Sequence, residues 1–292
     1  MATSPSHKFG QDLGKLLEYV VLYMILKPRL EAYTKAKNYY LDWQKDRPAR
    51  QGKKVSWDDK YGNKHDLDFV IEIGGTESVR GVPVAFIEAA WRRYTKHSKN
   101  KAQEIQGALL PIIELHHLSA PFYGAVLAGE FTKPALEQLR NNKFSVLYIP
   151  YQDVVDAFAK VGFNIAFDET TPDAAYVKAN KRLAKITKVN MSAIHSALTR
   201  VSKTETDKFM ATLQATLERF IVQIILIPLF GAEAKFSTVA EAINRLSILD
   251  KNTPVGALHK IEVIADYNNG DTIRASFVNQ AGAKAFLKKL ET

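Results

Sequence analysis

The chain has 292 residues, 46% of them apolar and 24% charged, which is the composition of a globular protein with material for one large domain or two ordinary ones. A net charge of +9 and a pI near 9.4 make a polyanionic partner plausible, because phosphate contacts carry most nucleic-acid affinity. The absence of cysteine excludes disulfides, thiolate nucleophiles and cysteine-based zinc sites.

The N-terminal residues MATSPSHKFG lack the apolar run of a signal peptide, and the longest apolar stretch, Phe220 to Gly231, is too short to span a bilayer. The expectation is therefore a cytoplasmic protein with no membrane partner. Residues 11 to 47 read as one or two long helices, with Leu13, Leu16, Leu17, Val20, Val21 and Met24 near helical period and Pro28 as a break or kink. The segment DRPARQGKK reads as a polar, basic loop.

Leu67 to Ile73 alternates, with Leu67, Phe69, Ile71 and Ile73 on one side and Asp66, Asp68, Val70 and Glu72 on the other, which predicts a strand. A turn, GGTESVRG, leads into a second strand, VPVAFIEAA, so the two form a hairpin. A basic helix from about Thr95 to His117 follows, then a strand at FYGAVLAGE. A short helix capped by Thr132, a strand at FSVLYIP and a helix from Tyr151 to Val161 complete this half. Strands alternating with helices after an initial hairpin predict an α/β fold, a mixed sheet flanked by helices.

In the second half DETTPD reads as a linker. A basic helical region covers about Ala174 to Val201, and another helix starts near Glu205. RFIVQIILIP reads as a buried strand, TVAEAINRLSIL as a helix, and KIEVIADYNNGDTIRASFV as a hairpin turning at Asn269-Gly270 before a last helix. The expected division is a core over 1–165 and a C-terminal α+β region over 166–292.

On these strands Asp66 and Asp68 point the same way and one of them is expected close to Glu88, and paired carboxylates at a sheet end suit a hard cation such as Mg²⁺. Such an ion activates water and stabilises charge on a phosphate. WRRYTKHSKNK supplies Arg92, Arg93, Lys96, Lys99 and Lys101 interleaved with Trp91 and Tyr94, which suits phosphate contact beside the carboxylates. Lys178, Lys181, Arg182, Lys185 and Lys188 share a broad helical face that suits a DNA backbone. His116 and His117 are adjacent and cannot readily chelate one ion together, and His65 reads as a surface histidine.

From about Phe9 to Val161 the chain resembles the PD-(D/E)xK nuclease superfamily, whose fold is called restriction-endonuclease-like. The strand HDLDFVIE, the strand VAFIE and the basic helix after it carry the resemblance. It implies a metal-dependent endodeoxyribonuclease acting on double-stranded DNA, most naturally a type II restriction endonuclease. It implies Mg²⁺ (or Mn²⁺) on Asp68 and Glu88 with Glu18 nearby, and a homodimer that cuts both strands. Gly14 and Glu18 in GKLLE match a spacing on the leading helix of several branches, and KAQEIQG offers Gln103 and Gln106 on the helix after the third motif. The motif lysine is replaced by Ala90. That leaves three readings: a cation relocated to Lys96 or Arg92, a scaffold that only binds DNA, or an engineered inactivation.

Overall fold

The computed structural model describes residues 4–50, 52–94, 98–168, 170–229, 232–249 and 260–290. Two compact units form, Met1–Leu213 and Gln214–Thr292.

The first unit opens with helix α1 (Pro5–Glu18), whose first turn is capped by Ser4 and fixed by Pro5 at a position where the missing N–H costs nothing. Phe9, Leu13 and Leu17 recur every four residues and are buried. The helix does not break before Pro28. It widens into a π-helical segment (Tyr19–Leu26) and resumes as α2 (Lys27–Lys37), with Pro28 in the first turn. A wider turn just upstream makes room for the pyrrolidine ring. The helix predicted to reach residue 47 ends at Asn38, whose left-handed backbone closes it, and β1 (Tyr39–Trp43) follows.

The strand predicted over Leu67 to Ile73 is two strands. β3 (Lys64–Leu67) pairs with β2 (Val55–Asp58) in a small hairpin, while β4 (Phe69–Ile73) enters the main sheet. Asp68 sits at the bend between them. Nor does β4 alternate in burial, because Phe69, Val70, Ile71 and Glu72 are all enclosed by layers on both faces. The predicted hairpin forms between β4 and β5 (Val82–Arg92). Helix α3 (Ser98–Leu115), β6 (Phe122–Gly129), α4 (Lys133–Asn141), β7 (Ser145–Pro150) and α5 (Tyr151–Ala159) then follow in the expected order.

The sheet order is β1-β4-β5-β6-β7, antiparallel from β1 to β5 and parallel from β5 to β7. This is the mixed sheet flanked by helices. Helices α3 and α4 pack on one face, where Val70, Phe86, Ile105, Leu109, Leu127 and Leu139 share a buried cluster joined by Val55 and Trp57 of the β2–β3 hairpin. Helices α1 and α5 pack on the other face.

The boundary expected at 165/166 is displaced. Helices α6 (Asp173–Leu183) and α7 (Lys188–Val201), and most of α8 (Lys203–Leu217), belong to the first unit. Their apolar residues explain this. Tyr176, Ala179 and Leu183 of α6 are buried, and Tyr176 packs against Phe9 of α1 and Phe167. In DETTPD, of which Glu169 lies outside the described residues, the Asp168 carboxylate accepts bonds from Thr170 and Thr171 within the first unit.

The second unit is an antiparallel sheet, β11-β10-β8-β9, made of β8 (Ile221–Pro228), β9 (Ala234–Phe236), β10 (Ile261–Tyr267) and β11 (Thr272–Phe277). Helices α9 (Val239–Leu249) and α10 (Gln280–Lys289) cover it around Ile224, Leu226, Val263, Leu246 and Leu287. β8 was expected to be wholly buried but is not, since Val222 is exposed while Ile224, Leu226 and Pro228 face the core. Among the described residues no helix is long and apolar enough to cross a membrane.

Candidate active site

The β4–β5 register places the two predicted carboxylates side by side. Phe69 lies opposite Ile87, so the next step up the ladder brings Asp68 beside Glu88. The Asp68 N–H donates to the Ile87 carbonyl at 3.3 Å, and the Ala89 N–H donates to Asp68 Oδ2 at 2.7 Å. Asp68 is thus fixed by backbone on both sides. The neighbouring Asp66 points elsewhere, bonded to Ser56 and paired with Lys54 at 2.6 Å. His65 is also elsewhere, 2.9 Å from Asp59. The bend at Asp68 is what separates the two aspartates.

Both carboxylates open into a cleft of about 670 Å³ between α1 and β5, lined also by Glu18, Trp91, Arg92 and Lys101. Among the described residues Glu88 Oε2 is buried and has no hydrogen-bond partner. Leaving a buried carboxylate oxygen unsatisfied is expensive, and a divalent cation entering the cleft would satisfy it. Burial pushes the Asp68 carboxyl up to about 6, against the lowering bond from Ala89. Burial, and then the charge of Asp68, push Glu88 up to about 8. The positive charge of Lys101 opposes both shifts. Burial also raises Glu18, which lies at the cleft mouth in the last turn of α1.

The donor set fits a hard divalent cation. Among the described residues no three His, Asp or Glu side chains are grouped closely enough to hold a metal by themselves. Mg²⁺ does not need such a cage: it keeps several waters and binds through one or two carboxylates plus substrate phosphates.

The remaining predicted residues divide. Lys96, the first choice for a relocated cation, lies outside the described residues. Arg92 continues β5 on the face expected of it, but its guanidinium leans to Glu104 of α3 at 3.7 Å and to the Trp91 carbonyl. Lys101, assigned from the sequence to phosphate contact, lines the cleft with the carboxylates, as does Lys15, and its ammonium lies 3.3 Å from the same Glu104. Arg93 is at the other end of the cleft. Lys99 and Gln103 are exposed on α3, outside the cleft lining. Gln106 is buried and exchanges bonds with α4, donating to the Gln138 carbonyl and accepting from Gln138 Nε2, a packing role. Lys178, Lys181 and Arg182 are exposed on α6, with Arg182 also bonded to the Val161 carbonyl, whereas Lys185 lies in the turn after α6 and Lys188 begins α7, so the five do not share one helical face as expected. Gly14 allows close helix–strand approach: a Cβ there would stand 3.0 Å from the Trp91 ring.

Sequence reasoning missed the polar line His7, Gln11, Lys15 and Glu18 on α1, all exposed and all in the cleft wall. Its signal was present, since these residues recur every three or four positions opposite Phe9, Leu13 and Leu17.

The raised carboxylates make a pH prediction. Between their ordinary values and the raised ones the folded state holds more protons than the unfolded chain, so stability falls as pH rises through that window. The metal-free protein should lose thermal stability from about pH 4.5 to about pH 8. Glu88→Gln should flatten that decline, and Mg²⁺ should raise Tm more at pH 8 than at pH 6. Thermal melts with EDTA or Mg²⁺ check both; a variant profile parallel to wild type would contradict the ionisation cost assigned to Glu88.

No family model matches the chain, and no curated protein does. A search of solved structures returned the crystal structure of a protein of unknown function, AF1548, at 8% identity and a TM-score of 0.27, covering 60% of this chain and 96% of that one. A match of that depth carries neither fold nor function across.

Proposed function

We propose that the protein is a metal-dependent endodeoxyribonuclease with a restriction-endonuclease-like core, hydrolysing phosphodiester bonds of double-stranded DNA in a restriction or defence system. The observation that supports this most is the Asp68–Glu88 pair on adjacent strands, buried in a cleft, with Glu88 Oε2 unpartnered among the described residues and Lys101 in the same wall. A divalent cation bound there supplies Lewis acidity toward a phosphate and toward water.

The chain's own residues do the rest. Ala89 holds Asp68 in one orientation and leaves its second oxygen available. Glu88, pushed toward protonation in the free protein, ionises when a cation enters. Lys101 places an ammonium where negative charge develops on the phosphate. It stands in for the lysine missing at Ala90. Ala90 itself packs against the apolar cluster under α3, which is the helix that carries Lys101. The exposed lysines of α6 extend a basic surface for the backbone. Cutting both strands calls for two such sites, hence a homodimer, with the second unit available for recognition or assembly.

Lys101→Met is expected to lower cleavage by roughly 10²–10³-fold, the scale of losing one charge-stabilising donor, with DNA binding reduced far less. Lys101→Arg should retain part of the activity. Cleavage unchanged in Lys101→Met would remove this lysine from the chemistry. The apolar packing of Ala90 favours a second reading, a scaffold that binds DNA without cutting it. That reading predicts salt-sensitive retardation and intact DNA with every divalent metal.

A further inference from the structure

The cleft has a second cationic end. Its long walls are α1 and β5. Along α1, His7 stands eleven residues before Glu18, roughly 16 Å at the helical rise. Just past the end of β5, Arg93 stands five residues beyond Glu88, roughly 16 Å at the strand rise. The two walls close on each other at that distance: Arg93 Nη2 donates to Ser6 Oγ at 2.8 Å, and Nη1 approaches the Ser6 carbonyl at 3.5 Å.

Arg93 is held as few surface arginines are. Its guanidinium lies over three rings, Tyr94 at 4.4 Å, Tyr176 at 5.1 Å and Phe9 at 5.7 Å. Among the described residues no carboxylate pairs with it. Cation–π contacts hold the plane but do not cancel the charge. Of five N–H donors only two are committed to Ser6, so a fixed, uncompensated fork faces the cleft beside His7. A planar fork of this kind is suited to a phosphate, which it binds through two parallel bonds. Gln11 and Lys15 line the wall between this point and the carboxylates, and Tyr176 places the basic face of α6 just beyond it.

We propose that Arg93, with Ser6 and His7, forms a second phosphate seat a few nucleotides along the strand from the scissile phosphate, so that the substrate strand runs the length of the α1–β5 cleft. The identity of the strand rests on the nuclease reading. The seat itself is tested without cleavage.

The experiment is fluorescence anisotropy of a labelled DNA duplex in EDTA across a salt series, with wild type, Arg93→Met, Arg93→Lys and Lys15→Met. Arg93→Met is expected to bind at least about tenfold more weakly and to reduce the slope of log K against log salt by about one. Arg93→Lys should keep the slope and lose part of the affinity. Lys15→Met, on an exposed helix face, should bind a few-fold more weakly, which keeps the proposal testable if Arg93→Met fails to fold. Wild type that does not bind, or folded variants with unchanged affinity and slope, would overturn the seat. Arg93-dependent binding by a protein that never cuts DNA would keep the seat and sink the nuclease reading. Cleavage by a protein whose binding ignores Arg93 and Lys15 would do the reverse.

Discussion

Arg47→Met is expected to destabilise the first unit by about 3–5 kcal/mol, the scale of breaking a buried charge network by removing one partner. The Arg47, Asp42 and Glu72 side chains are fully buried. Arg47 Nη1 donates to Asp42 at 2.8 Å and to Glu72 at 2.6 Å, and Nη2 donates to Glu72 at 2.9 Å and to the carbonyls of Thr76 and Val79. Burial disfavours its charge, but bonds to Glu72 and Asp42 outweigh that and hold the guanidinium more firmly protonated than usual. Arg50 adds a second cation on Asp42 at 3.0 Å. The network joins β1, β4 and the turn that sets the β4–β5 register, and that register is what brings Asp68 to Glu88. Losing Arg47 strands Glu72 as an unpaired buried charge. Against a typical total of about 5–15 kcal/mol, the loss would be a large share of the stability. Urea denaturation of the variant measures it; a change under about 1 kcal/mol would show that the network is not holding the sheet together.

Asp68→Asn is expected to lower metal-dependent cleavage by at least about a thousandfold while leaving duplex binding in EDTA within a few-fold of wild type. Asparagine keeps the shape and the acceptor for the Ala89 N–H, so the fold and the bend between β3 and β4 survive. What it loses is the negative charge that a divalent cation needs. The same substitution removes one of two mutually repelling buried carboxylates, so the metal-free variant should be as stable as wild type or more so. A variant that is inactive because it is unfolded would show the opposite change in Tm. Gel assays of cleavage, anisotropy and thermal melts on one preparation separate these outcomes.

Much of the site is written in local pattern. The apolar run VPVAFIEAA predicted β5 with Glu88 on it, and the hairpin followed from the turn residues between it and β4. The order of helices and strands from Ser98 to Ala159 was legible because each element has a clear period and a clear stop. What was hidden depends on partners distant in sequence. DRPARQGKK reads as a solvated basic loop, yet Arg47 and Arg50 are buried, because Asp42 and Glu72 neutralise them only once β1 lies beside β4. The π-helical widening before Pro28 leaves no mark in hydropathy. The unit boundary was misplaced because the lysine-rich surface of α6 obscured the apolar side formed by Tyr176, Ala179 and Leu183, which belongs against α1. The place of Lys101 in the cleft wall was hidden for a related reason. It shares a helical face with Ile105, and a lysine on a sheet-facing stripe must bring its ammonium to the helix–sheet boundary. That face meets the carboxylates only through the crossing of α3 over β5.

The most direct test of the central claim is to incubate the purified protein with mixed plasmid and phage DNA, methylated and unmethylated, with Mg²⁺ or Mn²⁺, and to resolve the products on a gel. Discrete fragments that disappear with EDTA and with Asp68→Asn are the predicted result. DNA that stays intact under every metal and substrate, including with the Ala90→Lys variant, would contradict a nuclease centred on Asp68 and Glu88.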